Sequence, residues 1–320
     1  MKKNFWQKLK KPILALAPMA GVTDSAFRRV CRESGADVVY TEMVSADGLY
    51  HDSKKTLELL DFDKAEQPVV VQLFGKTPEK FTKAAKICEE AGFAGIDINF
   101  GCPAKKVAGH GGGVTLMRDL TKCQEIIGAV LAGTKLPVSV KLRTSIKKGD
   151  KIVTAIDFIR FMKDLPISAV MVHGRPYEDP FNAEIDYAMI AKVKKEFKAG
   201  PVLGNGGIKT PEDGKKMMKE AGVDGLGLAR GLYGKPWLFG QMKKYLKTGK
   251  YESISDKELK KLILNHAKWA LKSKGDYGLV ELRKHLCWYV AGRAGATQLR
   301  AKLVRVETLG DIKLALKELF

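Results

Sequence analysis

Eight short apolar runs alternate with longer amphipathic stretches over the first three quarters of the chain. The runs lie at Ile13–Ala17, Asp37–Glu42, Val69–Phe74, Gly95–Asn99, Val138–Leu142, Ala169–His173, Val202–Asn205 and Gly225–Leu228. Each has the length of a buried parallel strand, and the stretches between them have the apolar period of covering helices. Eight strand-plus-helix units over roughly 240 residues predict an α/β fold, the (β/α)8 or TIM barrel. In that architecture functional side chains gather at the C-terminal ends of the strands. Those ends carry Pro18-Met19-Ala20, Glu42, Gln72, Asn99, Lys141, His173, Asn205 and Arg230 in turn. One polar strand end means little, whereas polar groups at every rung of one rim predict a site.

After Arg230 the alternation stops. A polar segment at 248–256 leads into helical patterns near Asp256–Lys272, Gly278–Ala291, Thr297–Val304 and Leu309–Leu319, with Ser255 or Asp256 as the N-cap. The expectation is a catalytic barrel over residues 1–245 and a small all-α domain over 246–320. Five cysteines with no CxxC pair and no Cys/His ligand spacing exclude a disulfide framework and a zinc site, so no metal is expected. Cys31, Cys88, Cys123 and Cys287 fall inside helical patterns and read as small buried hydrophobes. The lysine-rich start before Ile13–Ala20 superficially resembles a signal peptide. Its apolar stretch is only about eight residues and Pro18 interrupts it, so it reads as the first barrel strand. No stretch approaches the roughly 20 apolar residues that span a bilayer. A cytoplasmic monomer without a membrane partner is the expectation.

The formal net charge is +20. From Gln241 to Phe320, 18 lysines and arginines face 8 acidic residues, which places +10 on the last quarter. Such an excess attracts phosphate polyanions. Arg283, Lys284, His285, Trp288, Tyr289 and Arg293 mix cations with aromatics on one helix-length segment. That mixture suits RNA, whose exposed bases stack on rings, and it equally suits the core of a helical bundle.

Asn99-Phe100-Gly101-Cys102-Pro103 follows the fourth run and opens a glycine-rich stretch ending at Gly113. A cysteine between Gly and Pro cannot sit in a regular helix or central strand, so its thiol is presented on a loop. Gly109-His110-Gly111-Gly112-Gly113 is no dinucleotide fingerprint, because Val114 breaks the spacing. It reads as part of a mobile active-site loop. Lys141 at the end of the fifth run either faces an anion or packs its stem and reaches solvent. Gly204-Asn205-Gly206-Gly207 and Ala229-Arg230-Gly231 close the seventh and eighth runs, where barrels bind phosphate.

Pro18-Met19-Ala20-Gly21-Val22-Thr23-Asp24, Gln72-Leu73-Phe74-Gly75, Asn99 to Val107, Val172-His173-Gly174-Arg175 and Pro236-Trp237-Leu238-Phe239 together resemble the tRNA-dihydrouridine synthases. Arg283-Lys284-His285, Trp288-Tyr289 and Gly292 resemble their C-terminal domain, particularly in the bacterial B-type branch. The resemblance implies a flavoenzyme that acts on tRNA, with FMN held by Pro18, Met19, Ala20, Gln72, Lys141, His173, Asn205, Gly206, Gly207, Ala229 and Arg230. It implies Cys102 as the general acid, and Asn99, Arg175 and Lys141 around the target uracil. NADPH or NADH would re-reduce the flavin. Hydride would reach C6 of a D-loop uracil and the Cys102 proton would reach C5. Three positions depart from the pattern: Gly207 stands where Asp is common, Ala229 where Gly is common, and Phe100 where Met is usual. None removes a reacting group. On the same barrel a flavin-dependent reductase of a free pyrimidine is the rival enzyme, and an RNA-binding protein without chemistry is the rival of another class. Ribosomal RNA could replace tRNA with the same chemistry. A zinc base deaminase is excluded by the missing ligand pattern.

Overall fold

The computed structural model describes residues 4–317. Its strands are β1 (Ile13–Leu16), β2 (Val38–Ser45), β3 (Val69–Phe74), β4 (Gly95–Phe100), β5 (Val138–Arg143), β6 (Ser145–Lys148), β7 (Lys151–Thr154), β8 (Ala169–His173), β9 (Val202–Asn205) and β10 (Gly225–Leu228). Eight of them close a ring in the order β1-β2-β3-β4-β5-β8-β9-β10, every pair parallel. The eight apolar runs are thus the eight barrel strands. β6 and β7 form an antiparallel hairpin outside the ring, which the sequence reading lacks. The hairpin is built from charged residues around Gly149 and buries little of itself, so it leaves no apolar run to find.

Strand side chains alternate between two cores. Ile13, Ala15, Ala17, Val38, Tyr40, Val70, Ala169, Met171 and Leu203 fill the barrel interior together with Trp6, whose ring lies 6.5 Å from that of Tyr40. Residues of the opposite parity, such as Leu14, Val39, Val71, Ile98, Val140 and Val172, pack outward against the helices. Gly227 is part of this packing, since a Cβ there would lie 2.6 Å from the Met171 sulfur. Toward the C-terminal ends the inward row turns polar: Gln72, Asp97, Asn99, Ser139 and Arg143 are buried there.

Helices Asp256–Lys274, Asp276–Tyr289, Ala296–Leu303 and Leu309–Lys317 follow the barrel. Ser255 caps the first through a capping box with Glu258. The expected end of the last helix at Leu319 lies outside the described residues. These helices bury Ile263, Leu282, Leu286, Leu303 and Ile312 in a second core that also takes in Ala26 of the barrel helix Ser25–Glu33. Residue 245 falls inside the helix Leu238–Thr248, which ends at Gly249 in the left-handed conformation.

The aromatics of the mixed cationic segment turn inward. His285 and Tyr289 are buried, and Trp288 stacks on Tyr233 with ring centroids 4.1 Å apart. Arg283 donates to the Val306 carbonyl, and Arg293 pairs with Asp256. Of the two readings of this segment, the bundle core accounts for its rings.

Arg28 and Glu66 form a fully buried ion pair at 2.7 Å. The guanidinium also donates to the carbonyls of Thr23 and Asp61, while Glu66 accepts from Ser25 Oγ and from the Asp63 amide. The pair therefore ties the loop after β1 to the segment before β3. Arg28→Ala should lower stability by about 3 to 5 kcal/mol in urea unfolding, because Glu66 would be left buried and unpaired. The double variant Arg28→Met/Glu66→Leu should regain most of that loss.

Candidate active site

The strand ends converge on one mouth, and registry sets who meets whom. Gln72 lies opposite Asp97, Asp97 opposite Ser139, Asn99 opposite Lys141, Arg143 opposite His173, and His173 opposite Asn205. At the first strand end, Met19 N–H donates to Thr23 Oγ1 while the Met19 carbonyl accepts the Thr23 and Val22 amides. This folds Pro18, Met19 and Ala20 into a tight rim loop. Glu42 accepts from the Gly21 amide beside it, and burial pushes its carboxyl upward.

Cys102 is half-buried on the loop after β4. Asn99 Oδ1 accepts the Gly101 and Cys102 amides at 3.0 and 2.9 Å, so the side chain at the strand end holds the loop that follows it. Arg143 grips the same loop from the other side, donating to the Gly101 carbonyl at 2.8 Å and reaching the Pro176 carbonyl at 3.2 Å. The glycine-rich stretch read as a mobile loop is folded here: a helical turn at Lys105–Ala108 and a 3-10 turn at Gly113–Arg118, with Val114 N–H on the Cys102 carbonyl. Gly113 has φ +60, and a Cβ there would sit 2.8 Å from that carbonyl.

Electrostatics at the mouth are one-sided. Among the described residues, none of Lys141, Arg143, Arg175 and Arg230 forms an ion pair. Burial and the neighbouring Arg143 lower Lys141 to about 8, against the pull of Asp97 and Cys102. Burial lowers Arg143 to about 10. His173, half-buried and facing these four cations, is driven to about 2, first by desolvation and then by their charge, and stays neutral. Gly206 and Gly207 have φ +105 and +73, and a Cβ at Gly206 would lie 2.5 Å from the His173 ring. Beside them Arg230 is exposed over the Phe181 ring, and Asn205 Nδ2 donates to the Gly227 carbonyl, tying β9 to β10. Ala229 leads into the short 3-10 turn at Arg230–Leu232. Bare glycine backbone among unpaired cations fits a phosphorylated ligand.

Two residues escaped the sequence reading. Asp97 is fully buried and takes hydrogen bonds from Gln72 Nε2 and Ser139 Oγ, both at 2.7 Å. Burial raises it to about 6 despite those bonds and the charge of Lys141. Arg143 is the other. Its signal was available in the alternation of Ser139-Val140-Lys141-Leu142-Arg143, which turns every second side chain inward.

Burial raises the Cys102 thiol above its ordinary value, and the Ala104 amide, Lys141 and Arg143 only partly oppose the rise. The group is therefore a protonated acid at neutral pH. Its alkylation by iodoacetamide should be slow at pH 7 and climb only above the range of an ordinary thiol, near pH 8.5. A reactivity midpoint below about pH 7.5 would contradict this environment.

The fold is shared with solved structures of low sequence identity. Histamine dehydrogenase from Rhizobium sp. 4-9 aligns at TM-score 0.55 and 14% identity, over 80% of this chain and 48% of that one. A variant of NCR from Zymomonas mobilis aligns at TM-score 0.51 and 14% identity, over 82% and 93%. Curated relatives are far more similar in sequence. tRNA-dihydrouridine synthase B of Pseudomonas aeruginosa is 36% identical over 296 residues, covering 92% of this chain and 88% of the relative. The probable tRNA-dihydrouridine synthase 1 of Synechocystis sp. is 33% identical over 300 residues, covering 93% and 83%. The family model described as dihydrouridine synthase matches residues 15–319, and this chain therefore belongs to the dihydrouridine synthase family.

Proposed function

We propose that this chain reduces the 5,6 double bond of uridine in tRNA, with FMN as its bound cofactor and NADPH or NADH as the reductant. The observation that carries the reading is a protonated, half-buried Cys102 fixed at a barrel mouth whose other wall is an unpaired cationic, glycine-lined cradle. That cradle fits the phosphate of a flavin, with Gly206, Gly207, Ala229 and Arg230 around it and Asn205 bracing the loop. Pro18, Met19, Ala20, Gln72, Lys141 and His173 would border its ring. Bound FMN would supply the hydride that adds to C6 of the uracil.

The chain's own residues account for the rest. Hydride at C6 would leave enolate-like charge on the base, and the Cys102 thiol would quench it with a proton at C5. The lowered value of Lys141 still leaves it cationic at pH 7, so it would stabilise negative charge developing across the mouth. Asn99 donates one N–H to Gln72 and the other to the Met43 sulfur, a weak acceptor. The second N–H is the one free to turn to a base carbonyl. Arg175, half-buried with its Nε on the Ala183 carbonyl, supplies further donors.

Reaching C6 requires the base to leave its stack, at a cost recovered by phosphate contacts elsewhere. We assign that task to the helical domain. Its Lys284 and Lys274 lie near enough to Glu42 at the rim to oppose the rise of its carboxyl, Lys274 being itself paired with Glu281. Exposed Lys257, Lys261, Lys268 and Lys313 extend the basic surface.

Mass spectrometry of dihydrouridine-free tRNA treated with enzyme, FMN and NADPH should show a gain of about two daltons on a D-loop uridine, the mass of the added hydride and proton. Cys102→Ala should keep its flavin yet slow tRNA-dependent flavin oxidation by roughly 100-fold or more. No gain in mass from a yellow protein whose flavin NADPH reduces would move the substrate to ribosomal RNA or a free pyrimidine.

The logarithm of the tRNA binding constant should fall linearly with log salt, and Lys284→Ala should weaken binding to all tRNAs alike and reduce the slope by about one. A salt slope unchanged by that substitution would take Lys284 out of the phosphate contacts.

A further inference from the structure

We propose that Asp97 is a positioning residue for Cys102: it fixes the direction in which the Gln72 and Asn99 amides are bonded, and so seats the loop that carries the thiol. The inference rests on Cys102 being the acid of the proposed reaction.

A continuous relay leads from the barrel interior to that loop. Ser139 Oγ and Gln72 Nε2 each donate to the Asp97 carboxylate at 2.7 Å. Asn99 Nδ2 donates to Gln72 Oε1 at 2.8 Å. The Gly101 and Cys102 amides donate to Asn99 Oδ1 at 3.0 and 2.9 Å. Every bond from the loop inward therefore points its hydrogen toward Asp97. Asp97 is fully buried, Gln72 is 1% exposed and Asn99 5%, so water offers these groups little alternative.

The direction needs a cause. A carboxamide has nearly the same shape with its oxygen and nitrogen exchanged, so two amides in series can be bonded in either sense. Only end groups with a single polarity break the tie. At the outer end stand two backbone N–H groups, which can only donate. At the inner end stands an ionised carboxylate, which can only accept. Both ends demand the same sense: the alternative would set Asn99 Nδ2 against the two loop amides and Gln72 Oε1 against the Asp97 carboxylate. Without the acceptor at position 97, Gln72 Nε2 would lose its partner in a site closed to water, and the relay would be held from its outer end alone, with Gln72 no longer anchored within. Strand registry makes the relay possible, since Gln72 and Ser139 are the direct neighbours of Asp97 on β3 and β5.

Asp97 also faces the Lys141 charge and the Tyr40 hydroxyl, which bonds Ser139. A loss of charge and a loss of polarity must therefore be separated. Asp97→Asn removes the charge but keeps an oxygen for Gln72, with its nitrogen turned to Ser139 Oγ. Asp97→Leu keeps the volume and removes the acceptor.

The test is the rate of iodoacetamide alkylation of Cys102 in the flavin-bound protein, read by peptide mass spectrometry, beside the single-turnover oxidation of the reduced flavin by tRNA. Asp97→Leu should raise the alkylation rate about fivefold or more and slow the tRNA-dependent step about tenfold or more, as expected of a loosened and more accessible thiol. Asp97→Asn should alkylate within about twofold of the parent protein. Alkylation of Asp97→Leu at the parent rate would overturn the proposal. So would Asp97→Asn shifting as far as Asp97→Leu, because the charge on Lys141 would then be the agent. Should Asp97→Leu fail to hold flavin, Gln72→Met cuts the relay one bond further out and must give the same rise in alkylation, and parent-like alkylation there also overturns the proposal. A parent protein that forms no dihydrouridine would sink the proposed reaction while leaving the alkylation comparison standing.

Discussion

Strands in a closed parallel ring cannot slide by one residue, because such a shift would turn every inward side chain outward. In this chain that rigidity aligns groups distant in sequence at one level of the barrel. Gln72, Asp97 and Ser139 sit side by side on β3, β4 and β5, with Asn99 and Lys141 one inward position higher. Arg143, His173 and Asn205 continue the rim across β5, β8 and β9. Below them the interior is apolar and sealed against the buried Trp6. The site is thus the upper, polar end of a core whose lower part fixes its geometry.

That placement has an electrostatic consequence. Lys141, Arg143 and Arg175 have all been partly stripped of water, and each is lowered by burial. Desolvated cations without an ion-pair partner are costly, and an anion bound among them would relieve that cost. Asp97 tempers it from within. With Asp97 raised to about 6 and Lys141 lowered to about 8, both are still charged at pH 7. His173 adds no charge, so it can border a ligand without repelling the cations around it. The thiol moves the opposite way from a nucleophile, since burial outweighs the nearby positive charge and keeps the proton on sulfur.

How much of this could be read from the sequence depended on whether a residue announces itself through its own neighbours. The barrel was legible because each strand is an apolar run bounded by helical periodicity. Cys102 was legible because Gly101 and Pro103 forbid regular structure around it. Asp97 was not, because a single acid inside an apolar run has no local pattern, and its partners stand 25 and 42 positions away. The β6–β7 hairpin was missed because charged residues interrupt its few apolar ones, of which only Ile146 is fully buried. The tail segment could be read two ways because rings beside cations look alike on an RNA surface and in a bundle. Only its packing against Phe27 and Tyr233 decides in favour of the core.

One helix makes the two cores a single mechanical unit. On Ser25–Glu33, Phe27 belongs to the barrel's outer core yet packs 4.7 Å from the His285 ring of the helical domain, while Ala26 belongs to the second core. Arg29 lies over Trp269 at 4.8 Å, and Arg28 reaches back to the Thr23 carbonyl on the rim loop. Asp24 caps this helix directly after that loop, so Pro18, Met19 and Ala20 lead straight into it. A displacement of the helical domain would have to carry the helix with it, and the helix would carry the rim. On the proposed reading, RNA seated on the basic helices would for that reason be held in a fixed relation to the mouth, which is the condition for bringing one base within reach of one thiol.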